Sequence, residues 1–231
     1  MTQEIARRGY AVCTAPRSGS GHLDNLLRST GVLGNPLEYF NTKAQQLYID
    51  PQYPADPEAQ IDWILGHGST PNGVYGLKIF ADQFDLAAKS RWATRLPNLS
   101  FIYLERRDVL GQALSMARAK QTDQWNSGSP LLGEAVYDRT LIAAWLVEIL
   151  RQYTRWRYYF ARNGLTPLRL VYEDFVQKPA ESVSAVARLI GLTEPTEGDF
   201  DGAATKVQRD ELTELWRRRF IEESADLGTF H

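Results

Sequence analysis

Apolar positions along the chain gather into four short runs, set apart by longer stretches with helical spacing. Tyr10–Ala15 is small, β-branched or aromatic and stops at Pro16, and Val74–Phe80, Leu99–Leu104 and Leu168–Tyr172 repeat that form. Short apolar runs bounded by turn residues predict buried strands. Between them Leu23, Leu26 and Leu27 recur at helical spacing, and Asp82–Arg95 reads as one amphipathic helix. A further helix starts behind Asp108 as N-cap, Tyr137–Asn163 makes a long one closed by Gly164, and Pro179 opens another closed by Gly191. Its aromatic stripe of Trp145, Tyr153, Trp156, Tyr159 and Phe160 marks the long helix as a core element. Strands alternating with helices predict an α/β fold whose central parallel sheet is flanked by helices. Residues 41–70 interrupt the alternation with Pro51, Pro54, Pro57 and several tyrosines, leaving one helix-like run near Ile61–Leu65. A long irregular stretch of this kind suggests a lid or acceptor-binding insertion within a single domain spanning residues 1–231.

The chemistry concentrates at the ends of these strands. Arg17-Ser18-Gly19-Ser20-Gly21 joins the first strand to the first helix and holds too much glycine and serine for a helix interior. The backbone N–H groups of such a loop and of the helix start point at one spot, a ready anion site. Ser18 and Ser20 add hydroxyl donors and Arg17 a permanent charge. The loop is not a Walker A motif, because His22 stands where that pattern requires a lysine. Lys78 lies among apolar residues of the second strand and needs an anionic partner or a route to water; it is expected to reach a bound anion. Arg106 and Arg107 end the third strand, and Ser115 follows about two turns into the next helix, placed to share a phosphate with one of them. Glu38, the one carboxylate in a turn-rich apolar segment, is a candidate general base with a raised pKa. Lys206, Gln208 and Arg209 precede the last helix and are placed to fold back over the anion.

Charge narrows the partners. A net charge of −2 excludes a general nucleic-acid binder, so any anion site is a local concentration of basic groups. The single cysteine, Cys13, allows no disulfide within the chain and reads as a small core residue. No apolar run approaches the length of a membrane span and no secretory signal is visible, which makes the cytoplasm the expected compartment.

The ordered set of motifs resembles the PAPS-dependent sulfotransferases, where PAPS is 3′-phosphoadenosine 5′-phosphosulfate. Ala15-Pro-Arg-Ser-Gly-Ser20 is similar to their 5′-phosphosulfate loop, and Arg106 or Arg107 with Ser115 to their 3′-phosphate pair. The likeness is strongest to the bacterial carbohydrate branch of trehalose and nodulation-factor sulfotransferases. It is carried by Thr30-Gly-Val…Gly34-x-Pro-x-Glu38-x-Phe40, Asn72-Gly-Val-Tyr-Gly-x-Lys78, Arg106-x-Asp108…Gln112-Ala-x-Ser115, Tyr172-Glu-Asp174 and Gln208-Arg209. The resemblance implies a P-loop-kinase-like sulfotransferase fold and transfer of a sulfuryl group from PAPS to a carbohydrate or other small-molecule hydroxyl, without a metal. It assigns Arg17, Ser18, Gly19 and Ser20 to the 5′-phosphosulfate and Arg106 with Ser115 to the 3′-phosphate, and leaves room for a homodimer; Gly21, His22, Lys206, Gln208 and Arg209 join the donor-binding candidates through their place beside the loop and before the last helix. Glu38 falls on the family's proposed base position. The chain departs from the branch at Gly21-His22, where the branch has Thr-Leu, so His22 stands as a second candidate for base or leaving-group donor, beside Arg17 and Lys78 as electrostatic stabilisers. Two other readings remain open at this level: a nucleotide-binding protein without activity, and an ATP-dependent small-molecule kinase.

Overall fold

The computed structural model describes residues 7–125, 132–193, 198–200 and 211–224. In chain order the elements are β1 (Arg8–Thr14), α1 (Ser20–Ser29), α2 (Thr42–Tyr48), α3 (Pro57–His67), β2 (Val74–Phe80), α4 (Phe84–Lys89), α5 (Trp92–Arg95) and β3 (Leu99–Glu105). They continue with α6 (Val109–Thr122), α7 (Arg139–Arg162), β4 (Leu168–Val171), α8 (Tyr172–Phe175), α9 (Pro179–Leu189) and α10 (Glu211–Ser224). The chain forms two compact units, Met1–Arg107 with Gln152–Ala204, and Asp108–Arg151 with Thr205–His231.

The first unit carries the sheet. Its order is β2-β1-β3-β4 and every neighbouring pair is parallel, with Val12 opposite both Lys78 and Ile102. The expected parallel α/β architecture is therefore present. The two strands that follow β1 lie on opposite sides of it, so the direction in which strands are added switches between β1 and β3 while all of them stay parallel. Crevices of this kind, at the C-terminal ends of the strands, are where parallel α/β sheets bind ligands.

The two faces of the sheet are filled differently. On one, Tyr10 and Val12 pack with Leu23, Leu26 and Leu27 of α1 and with Val183 and Val186 of α9. Burying each such aliphatic side chain contributes roughly 1.5–3 kcal/mol. On the other, Phe84, Trp92, Phe101, Trp156, Tyr159 and Phe160 meet largely edge to face; of the expected stripe Tyr153, Trp156 and Phe160 are buried core, Tyr159 is half-buried, and Trp145 is half-buried beneath Lys120 in the second unit. Cys13 is fully buried in β1, and burial pushes its thiol pKa up.

Two stretches differ from their expected form. Asp82–Arg95 is two helices, because the Ser90 hydroxyl bonds back to Ala87 O at 2.7 Å and Arg91 takes a left-handed φ of 52°. That break re-aims Trp92 into the core, where it is 1% exposed. Residues 41–70 hold two helices, started by Asn41, which accepts from Ala44 N at 3.3 Å, and by Asp56, which accepts from Ala59 N at 3.1 Å. Prolines there sit in connections or, as Pro57, in a first turn where they are tolerated. Tyr53 is buried and its hydroxyl donates to Tyr39 O at 2.5 Å, so this aromatic supports the segment that precedes α2.

In the second unit, α6 begins at Asp108, whose Oδ1 accepts from Gly111 N at 2.9 Å as an N-cap. Arg217 of α10 donates to Asp108 Oδ2 at 2.7 Å, and α10 packs on α6. Among the described residues no helix is long and apolar enough to cross a membrane.

The segment 33–38 runs close along β2: Leu37 O accepts from Lys78 N at 2.9 Å. Gly34 makes that approach with φ +74°, and a Cβ there would stand 2.6 Å from Gly76 N. Gly34→Ala should therefore cost about 1–3 kcal/mol of stability, seen as a lower urea midpoint with an unchanged m-value. An unchanged midpoint would mean that the segment can shift away from β2 at no cost.

Candidate active site

At the end of β1 the chain turns sharply. Thr14 donates through its hydroxyl to Leu104 O at 2.7 Å and lies 2.8 Å from Ser18 Oγ, fastening the loop to the end of β3. Trp156 Nε1 donates to Thr14 O at 2.9 Å from the other face. Arg17 and Gly19 both have left-handed φ, 61° and 86°, with Ser18 fully buried between them. Left-handed residues in such a turn direct successive N–H groups into a concavity suited to an anion. A non-glycine residue in that region is strained, and strain of this kind gathers at functional sites. Gly19 is required on a second count, since a Cβ would meet the Tyr172 ring at 2.1 Å.

Gly19 is the N-cap of α1, and no side chain caps that end. The first turn of α1 holds no acidic residue, so the positive end of its dipole meets no carboxylate of that turn; His22 N donates to Gly19 O at 3.0 Å. Ser20 and Gly21 occupy that turn. His22 is 8% exposed and its ring stacks on Phe175, 5.5 Å between centroids.

The two arginines after β3 separate. Arg106 turns to the loop, its Nη1 donating to Arg17 O at 3.3 Å and its guanidinium lying 5.0 Å from the Tyr172 ring centre. Arg107 turns away and pairs with Asp174 at the surface. Ser115 is carried by α6 in the second unit, while Lys206, Gln208 and Arg209 lie outside the described residues.

Lys78 is bonded to carboxylates of the protein itself. Its Nζ is 2.6 Å from Asp24 Oδ2 and 3.4 Å from Glu38 Oε1. Glu38 Oε2 accepts from Asn41 Nδ2 at 2.9 Å and Gln83 Nε2 at 3.4 Å, so its carboxylate is oriented from both sides. Burial works against the Lys78 charge, but Asp24 and then Glu38 outweigh it and hold its pKa above the ordinary lysine value. Burial pushes Asp24 up to about 6, with Lys78 opposing the rise. Asp24 lies one turn after Ser20 on α1, so this charged array begins where the anion-ready helix end leaves off. Among the described residues no three His, Cys, Asp or Glu side chains are grouped to hold a metal ion.

Comparison with known proteins agrees with this geometry. The model of the Stf0 sulphotransferase family matches residues 9–223. The chain belongs to the Stf0 sulfotransferase family. It is thus an enzyme of sulfuryl transfer, and the match spans the loop, Glu38, Lys78, Arg106 and Ser115 together. The chain is 29% identical to trehalose 2-sulfotransferase of Mycobacterium tuberculosis (strain Erdman), over 96% of this chain and 98% of that protein. It is 28% identical to trehalose 2-sulfotransferase of Mycolicibacterium smegmatis, over 79% and 84%. The crystal structure of a sulfotransferase from Alicyclobacillus acidocaldarius superposes with a TM-score of 0.51 at 13% identity, covering 95% of this chain and 93% of that one, a likeness of fold.

Among the residues gathered here, the one that sequence reasoning missed is Asp24. Its signal was present: Asp24 sits three residues before Leu27, on the buried side of α1, and a lysine embedded in a strand requires an anion.

The raised pKa of Asp24 has a signed consequence. The folded chain binds this proton more tightly than the unfolded chain does, at about 6 against an ordinary 3.8. The contribution of Asp24 to stability is therefore full below the unfolded value and is lost as pH rises through the folded one. Denaturant unfolding at pH 4.5 and pH 7 should show a smaller decline in Asp24→Asn than in the parent chain; equal declines would count against the shift.

Proposed function

We propose that the chain transfers the sulfuryl group of PAPS to a hydroxyl of a carbohydrate, with Glu38 as general base. The observation that carries this reading is the placing of an uncapped helix start behind β1 and an oriented carboxylate beside β2, joined through Lys78 and Asp24. The left-handed turn at Arg17 and Gly19, the buried Ser18 and the first turn of α1 fit a 5′-phosphosulfate, whose sulfuryl group is the one transferred. Arg106, beside that turn, fits the 3′-phosphate. The carbohydrate acceptor is supported by the two trehalose 2-sulfotransferases.

In this reading Glu38 takes the proton of the acceptor hydroxyl as that oxygen closes on sulfur. The bond from sulfur to the bridging oxygen breaks, and the charge left on that oxygen faces Arg17 and the N–H groups of α1. Fixed donors of this kind are already in place before charge develops, so little reorganisation is needed. Positioning supplies most of the rest. Lys78 acts here on Glu38, since its charge is met by protein carboxylates, and His22 packs on Phe175 while the Glu38 side chain is 24% exposed.

The test pairs binding with turnover. The product nucleotide PAP, 3′-phosphoadenosine 5′-phosphate, should raise the melting temperature without Mg²⁺, while ATP should not. Wild-type protein with PAPS should sulfate at least one member of a panel of mono- and disaccharides that includes trehalose. Glu38→Gln should keep PAP binding and lose about 10²-fold or more in turnover. A melting shift that appears only with ATP and Mg²⁺ would refute the donor, and undiminished turnover in the variant would refute the base.

Arg106→Ala separates the phosphate sites. It should weaken PAP by about tenfold or more, the loss of a charge-assisted contact, and weaken adenosine 5′-phosphosulfate clearly less, through the lost bond to Arg17 O alone. Calorimetric titration of both ligands checks this, and equal losses would remove Arg106 from the 3′-phosphate.

A further inference from the structure

Two carboxylates compete for one ammonium beside the proposed base. Lys78 Nζ lies 2.6 Å from Asp24 Oδ2 but 3.4 Å from Glu38 Oε1, so its short contact is with Asp24. Asp24 Oδ1 is buried without a hydrogen-bond partner, which leaves Lys78 as the hydrogen-bond donor that the Asp24 carboxylate has. Glu38 is differently supplied, with Asn41 and Gln83 on its second oxygen. The other groups facing Asp24 are Arg28 on its own helix, Tyr10 of β1 and Tyr39 beside Glu38, and burial keeps both tyrosines neutral.

We infer that Asp24 is a positioning residue for Glu38: it holds the Lys78 ammonium on its own carboxylate and so leaves Glu38 a stronger base toward the acceptor hydroxyl. The inference rests on Glu38 being the base proposed above. An ammonium drawn wholly onto Glu38 would favour its carboxylate over its protonated form and weaken it as a proton acceptor. The negative charge of Asp24 opposes this twice, by keeping the cation and by repelling the second carboxylate. Neutralising Asp24, by a proton or by asparagine, removes both effects and acts in one direction. Asp24 itself is given no contact with reacting atoms and works through Lys78.

The experiment measures Glu38 directly and then its chemistry. Side-chain carboxyl ¹³C shifts are followed through a pH titration of the wild type, Asp24→Asn and Asp24→Glu, and the pH profile of transfer from PAPS to the saccharide panel is recorded for each. In Asp24→Asn, Glu38 should titrate about one pH unit lower than in the wild type, the size expected for losing a close charge in a partly screened site. Its plateau kcat should fall roughly threefold and its acid limb should move down, with acceptor KM and PAP affinity kept, as a weaker base in the same geometry requires. Asp24→Glu should restore both. The wild type alone supplies a second measurement, because coupled carboxyls each show an inflection at the other's midpoint. An unchanged Glu38 titration in Asp24→Asn, or a wild-type curve with no such inflection, overturns the inference. A shifted Glu38 in a chain that sulfates nothing in the panel supports the coupling and overturns the functional reading instead.

Discussion

A single ammonium placed where water barely reaches forces much of the site's arrangement. Lys78 sits near the end of an edge strand with 8% of its surface exposed, and an unmatched charge in that position would cost several kcal/mol. The chain meets the charge from two directions, with Asp24 on α1 and Glu38 on the segment before α2. Three stretches distant in sequence must therefore converge. The rotation of α1 that buries Leu23, Leu26 and Leu27 in the core also carries Asp24 to Lys78. The path of residues 33–38 is set by Gly34, by the bond from Lys78 N to Leu37 O, and by the carboxylate that follows.

The same helix serves a second purpose at its start. About 5.4 Å of rise separates one turn of an α-helix from the next, so Asp24 and the N–H groups at Ser20 are near neighbours along α1. An end that favours anions and a buried carboxylate would conflict if the carboxylate were left uncompensated. Lys78 resolves that conflict by absorbing the charge of Asp24 before it reaches the helix start. The loop is fixed independently, by Thr14 to Leu104, by Trp156 to Thr14 and by the close seat of Gly19 on Tyr172. Loop and carboxylate are thus held by separate supports on one scaffold.

Much of this was legible from residue patterns, and the exceptions have physical causes. The strands announced themselves because parallel strands are buried on both faces and read as unbroken apolar runs. Asp108 was legible as a cap because its short side chain suits that position. The division of Asp82–Arg95 was hidden, since a left-handed arginine at position 91 follows from how Trp92 reaches the core and has no local signature. The helices of residues 41–70 were masked by proline density, although Asn41 and Asp56 with Pro57 are ordinary start signals. For the site, the loop was visible in its glycines and serines. The parting of Arg106 from Arg107 was not, because it depends on which side of the strand end each side chain leaves. Lys78 was recognised as needing an anion, but its anions proved to be the protein's own.

Cys13 shows what such burial implies beyond the site. It is the only thiol in the chain and is wholly enclosed in the central strand β1, with parallel neighbours on both sides. Its side chain stands on the face opposite Tyr10 and Val12, beneath the layer that includes Tyr159. A reagent that modifies thiols reaches it only when that layer lifts from β1, so the rate of modification is a built-in clock for the opening of this packing, read without adding any label.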